Sequence, residues 1–64
     1  MAITIKAARI NAGFTQAEVA ERVKKTKNTI ASYEAYTTAP DIKTAQTMAE
    51  MFGMTVDEII WVKE

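Results

Sequence analysis

Two short patterns punctuate this chain and leave it little choice of fold. Thr15-Gln16-Ala17-Glu18 and Thr55-Val56-Asp57-Glu58 both read Thr-x-x-Glu. In that pattern the threonine hydroxyl accepts the N–H three residues on, and the glutamate reaches back to the threonine N–H. Two of the donors that a new helix leaves unpaired are satisfied together. Gly13 and Gly53 each follow apolar residues at helical spacing, where a helix ends on a left-handed backbone residue. Two starts and two stops within 64 residues predict a chain of short helices. Nothing reads as a strand, because no period-2 alternation lasts long enough.

Five helices are expected. The first runs from about Thr4 to Ala12 and stops at Gly13. The second is capped by Thr15 and carries Val19, Ala20 and Val23 on one face. The third starts at Thr26 as N-cap and ends near Glu34, with Ile30 and Tyr33 inward and Glu34 on their flank. The segment AYTTAP is the main loop. The fourth opens on Asp41 as cap, buries Ile42, Ala45, Met48, Ala49 and Phe52, and stops at Gly53. The fifth opens on the second Thr-x-x-Glu box and runs through Ile59, Ile60, Trp61 and Val62. The link around Lys24-Lys25 is short, so the second and third helices meet steeply, as in a helix-turn-helix. With no repeat, linker or low-complexity segment, residues 1–64 read as one domain.

Composition closes off several functions. There is no cysteine and no histidine. Disulfides, thiolate or imidazole metal sites and the corresponding acid–base chemistry are therefore not expected. No nucleophile–base arrangement is visible either, so an enzyme, a metal or a cofactor is not expected. No apolar run approaches the ~20 residues that span a bilayer, and the first residues lack a signal-type apolar region, so a cytoplasmic protein without a membrane partner is the expectation.

The formal net charge is zero, which taken alone argues against a nucleic-acid partner. Its distribution points the other way. Residues 1–33 hold Lys6, Arg9, Arg22, Lys24, Lys25 and Lys27 against Glu18 and Glu21, a balance of +4; residues 34–64 carry the opposite −4. Either an anionic partner meets the basic half, or this is the uneven division of charge that small domains often show.

The third helix decides how to read that charge. At about 100° per residue, Lys27, Asn28, Ala31 and Ser32 share the outward face. A lysine can donate to guanine O6 and N7, and an asparagine can pair with adenine N6 and N7. A small alanine permits close approach or touches a thymine methyl. The helix N-terminus adds partial positive charge and free N–H groups that suit phosphate. The same residues would also make an ordinary solvated face. The short link to a preceding capped helix favours the groove-reading alternative.

Taken in order, RINAGFTQAEVA, TKNTIASYE and PDIKTAQTMAEMFGMTVDEI resemble the Cro/CI-type helix-turn-helix family, also called XRE, over roughly residues 5–60. The resemblance implies an all-α, compact five-helix, lambda-repressor-like domain with helices two and three as the helix-turn-helix. It also implies a homodimer on a double-stranded DNA operator, with helix three in the major groove. Carried over by position, it places base reading on Lys27, Asn28 and Ser32. Backbone contacts fall on Gln16, Thr26, Thr37 and Thr38, and Arg9 and Glu34 become a structural ion pair joining helix one to the end of helix three.

The chain departs from the family pattern at three positions. Lys24 and Lys25 stand where Gly and Val are common, and Tyr36 stands where a second Gly is common. A left-handed Lys24 would cost about 1 kcal/mol, and Lys25 would have to bury its stem and lift its charge to water. The two lysines either add phosphate contacts, or reshape the turn, or mark a domain turned to binding protein. The leading expectation is a sequence-specific transcriptional regulator, most similar to small phage or prophage Cro- or CI-like repressors, on a palindromic operator. The alternative is a protein-interaction module of antitoxin-like or anti-repressor type. No small-molecule ligand is evident. Ile60, Trp61 and Val62 either wrap their own core or form a dimer patch.

Overall fold

The computed structural model describes residues 2–63. A two-residue strand β1 (Ile3–Thr4) leads into helices α1 (Ile5–Ala12), α2 (Gln16–Val23), α3 (Lys27–Glu34) and α4 (Ile42–Met51). A 3₁₀ turn at Val56–Glu58 then passes into a second strand, β2 (Ile59–Ile60). No helix among the described residues is long and apolar enough to cross a membrane.

The helices begin where their caps stand. Thr4, Thr15, Thr26 and Asp41 take extended backbone, and their side chains accept the N–H groups of Ala7, Glu18, Thr29 and Thr44. At Thr15 the reciprocal bond is made as well, Glu18 accepting the Thr15 N–H at 2.8 Å. Each such cap contributes about 1 kcal/mol.

The helices also end alike. Gly13, Lys24, Tyr36 and Gly53 are left-handed, with φ of 82°, 60°, 62° and 68°. In each case that residue's N–H bonds three residues back and the next N–H bonds five back. The pairs are Gly13 to Ile10 and Phe14 to Arg9; Lys24 to Glu21 and Lys25 to Ala20; Tyr36 to Tyr33 and Thr37 to Ser32; Gly53 to Glu50 and Met54 to Ala49. This double closure satisfies carbonyls that a helix end otherwise leaves open. Only two of the four stops use glycine. The other two are Lys24 and Tyr36.

Ile5 and Ala8 of α1, Val19 and Ala20 of α2, Ile30 and Tyr33 of α3, and Met48 and Ala49 of α4 converge with Phe52 and Ile59 in one core. Ile5 and Ala8, and Ile30 and Tyr33, stand three residues apart, the repeat of one helical face; in α4 the buried Ala45 precedes Met48 and Ala49 by three and four. Ile5, Val19, Ile30 and Met48 are fully buried, one from each helix. Val23 is half-buried against this core.

Three expectations are corrected. The all-α description holds, but the helix count is four. The fifth helix is replaced by the 3₁₀ turn and β2, which pairs in parallel with β1 in the register Ile3 to Ile59 and Thr4 to Ile60. Ile59 and Ile60 are β-branched and favour extended backbone, and β1 offers them main-chain partners. The reading that nothing is strand fails for the same reason, since two-residue strands are too short to show alternation. Ile42 is 78% exposed instead of buried. It is the first residue of α4, and the buried stripe begins only at Thr44 and Ala45, so Ile42 overhangs the end of the packed surface.

Candidate nucleic-acid interface

Helix α3 is held from beneath by packing and from its N-terminus by a short turn. Ile30 and Tyr33 anchor α3 in the core. The α2–α3 link consists of Lys24, Lys25 and Thr26 alone, and the left-handed Lys24 (φ 60°, ψ 43°) reverses the chain within it. Thr26 closes the first turn: its Oγ1 accepts the Thr29 N–H at 3.2 Å and lies 2.9 Å from the Thr29 hydroxyl.

With the inward side fixed, the outward side follows. Lys27 and Asn28 are exposed, and Ala31 and Ser32 are half-buried. The structure therefore brings Lys27, Asn28 and Ser32 to one face of α3, the first two in its first turn. Lys24 and Lys25 are exposed directly before that turn. Lys25 thus stands in water, and the expected burial of its stem is not seen.

At the other end of α3 lies a compact ionic cluster. Arg9 Nε donates to Glu34 Oε2 at 2.6 Å and Nη2 donates to Oε1 at 3.4 Å, while Nη1 donates to the Phe14 carbonyl at 2.8 Å. The two side chains are 12% and 6% exposed. Arg9 thereby ties α1, the α1–α2 turn and α3 together, and its planar fork suits the two-point contact. Gln16 joins the cluster, its Nε2 donating to Glu34 Oε1 at 3.0 Å. An amide carries two N–H donors and one acceptor, so this bond braces Gln16 against α3 and leaves it a second donor. The Glu34 charge is balanced by Arg9, and Gln16 adds a neutral donor.

The loop after α3 contains the other two expected backbone-contact residues. The Thr37 hydroxyl donates to the Ser32 carbonyl at 3.2 Å, so its proton is turned inward and its lone pairs outward. Thr38 is exposed. Tyr36 does something the sequence did not disclose. Its hydroxyl accepts the Ile5 N–H at 3.3 Å and donates to the Ile60 carbonyl at 2.8 Å. It links the first residue of α1 to β2 from a left-handed backbone position. No local signal predicts this, because the partners lie 31 and 24 residues away.

At the C-terminal end Ile60 is 37% and Val62 61% exposed. Trp61 is half-buried against the core, and its Nε1 donates to the Val56 carbonyl at 2.9 Å. The indole is thus engaged within its own chain, and the freely exposed members of the trio are Ile60 and Val62.

Two capped helices joined by a three-residue turn that opens on the left-handed Lys24, the second presenting polar side chains outward, define a helix-turn-helix domain. A family model described as helix-turn-helix matches residues 5–59. The chain belongs to the Cro/CI-type helix-turn-helix family, a family of DNA-binding regulators. No curated protein and no solved structure gives a significant match.

Proposed function

We propose that this protein is a sequence-specific transcriptional repressor of the small phage or prophage Cro and CI kind, binding a palindromic operator as a twofold dimer. The observation that carries the reading is α3: capped, rigidly seated, and bearing Lys27 and Asn28 exposed in its first turn. In this reading Lys27, Asn28 and Ser32 meet base edges. Gln16, Lys24, Lys25, Thr26 and Thr38 set the register on phosphates, and Thr37 steadies the loop through Ser32. Ile60 and Val62, with the free edge of Trp61, supply the twofold contact between copies. Repression is steric, an occupied operator excluding polymerase.

Selection of bound duplexes from a random pool tests all of this together. The expected product is a symmetric site whose half-sites lie about one helical turn apart. Binding measured by fluorescence anisotropy should weaken steeply with salt, by about 0.9 log unit per log unit of salt for each phosphate neutralised. If no duplex is retained, or the response to salt is flat, the domain acts on a protein partner instead.

A further inference from the structure

A depression on the surface between the C-terminal end of α2 and α4 is lined by Arg22, Val23, Lys24, Lys25, Lys43, Thr44 and Thr47. Four of these seven residues are cations, contributed by α2, the α2–α3 link and α4. Among the described residues the only ion pair is Arg9–Glu34, so none of the four has a carboxylate within 4.0 Å. The Asp41 carboxylate accepts the Thr44 N–H as the cap of α4, and Lys25 lies close enough to help hold it charged. Arg22 also borders a second depression beside Glu18 and Glu21. The remaining cations have no acid in either lining. Four like charges gathered with none of them in a direct ion pair repel one another, and the arrangement is relieved by an extended anion.

We propose that this groove is a second phosphate-binding track, in which Arg22 and Lys43 carry the DNA backbone past the N-terminus of α3. The inference rests on the DNA-binding reading and extends it to two residues on elements outside the helix-turn-helix turn and reading helix. Position favours a phosphodiester strand over an acidic protein. Lys24 and Lys25 form one wall of the groove and lead through Thr26 directly into the exposed Lys27 and Asn28, so a strand held in the groove runs on beside the bases that α3 meets. The contact is to charge alone, so it adds affinity without sequence preference.

The test compares wild type with the Arg22→Gln/Lys43→Gln double variant on a selected duplex over a range of salt. Loss of one or two phosphate contacts should flatten the slope of log K against log salt by about 0.9 each, and weaken binding about eightfold per contact at 0.1 M salt. The preference for the selected site over a scrambled one should stay the same. In parallel, lysine acetylation of the wild-type protein with and without duplex, read by mass spectrometry, should show protection of Lys43 together with Lys24 and Lys25 and none at Lys63. This arm does not depend on how the variant folds. An unchanged slope, or unprotected Lys43 on a duplex that wild type binds, overturns the inference and leaves DNA binding intact. An acidic polypeptide such as poly-glutamate that protects Lys43 when DNA does not would assign the groove to a protein partner. Failure of wild type to bind any duplex overturns the DNA-binding reading itself.

Discussion

Removing Glu34 should come close to unfolding this domain. Its carboxylate takes two bonds from Arg9 and one from Gln16. Both members of the ion pair are at least seven-eighths buried, so solvent screening does little to discount the interaction. In Glu34→Ala the Arg9 guanidinium keeps its bond to the Phe14 carbonyl and loses both contacts at Nε and Nη2. A charge left uncompensated in such a place costs about 3–5 kcal/mol. A 64-residue domain has about 3–10 kcal/mol of total stability at ~0.05–0.15 kcal/mol per residue. At about 4–8 °C per kcal/mol for a domain of this size, a loss of 3 kcal/mol lowers the melting temperature by roughly 12–24 °C. Arg9→Ala should fall in the same range, leaving a buried carboxylate with Gln16 alone. The double variant should cost less than the sum of the two, because the second substitution removes the orphan created by the first. Circular dichroism melts of the four proteins decide the matter. Single variants melting within about 4 °C of wild type, or strict additivity in the double, would refute a buried structural pair.

Four further outcomes follow from the structure. Lys24→Gly should raise stability by about 0.5–1 kcal/mol in a denaturant titration, since relief of a left-handed side chain exceeds the added freedom of the unfolded chain; a loss would show that the Lys24 side chain holds the turn. Tyr36→Phe keeps the ring and removes the hydroxyl between Ile5 and Ile60, and should cost about 1 kcal/mol or more in the same assay; an unchanged midpoint would mean water replaces both bonds. Asn28→Ala should weaken operator binding by about 1–3 kcal/mol and relax one base position in the selected site, whereas a uniform loss over all sequences would place Asn28 on a phosphate. Asp41→Asn should flatten the acid limb of stability. The bond from Thr44 holds the Asp41 carboxyl below its ordinary value, so its contribution is complete above the usual carboxylate range and is lost as pH falls through the lowered value. Asparagine caps comparably without titrating; melts at pH 7 and pH 3 should show wild type losing more than the variant, and equal losses would exclude Asp41 as a source of acid sensitivity.

What could be read before the structure was mostly local. Thr15, Thr26 and Asp41 as caps, Gly13 and Gly53 as stops, and the inward faces of α2 and α3 each depend on neighbours within four or five residues, and the chain states those neighbours directly. The outward set on α3 was legible for the same reason: once Ile30 and Tyr33 face the core, a fixed turn per residue sends Lys27 and Asn28 to water. Arg9 and Glu34 stand 25 residues apart, and nothing local joins them; only likeness to a family suggested the pair. The resemblance offered Gln16 as a backbone contact, and its bond to Glu34 became visible only in the structure.

By itself, then, the sequence determined the four helices, the caps of three of them, the inward faces of α2 and α3 and the short turn that makes a helix-turn-helix, because hydrogen bonds at helix ends and helical periodicity are short-range. Tertiary structure alone decided the fate of the last Thr-x-x-Glu box. There Glu58 does take the Thr55 N–H at 2.9 Å, yet the helix it announces stops after one 3₁₀ turn. Ile59 and Ile60 find main-chain partners in Ile3 and Thr4 across nearly the whole chain. The Tyr36 hydroxyl closes that junction, and the four-cation groove likewise exists only once α2 and α4 lie side by side. Such features are chosen by competition between a local preference and a distant partner, and that partner's position is known only after the core has formed.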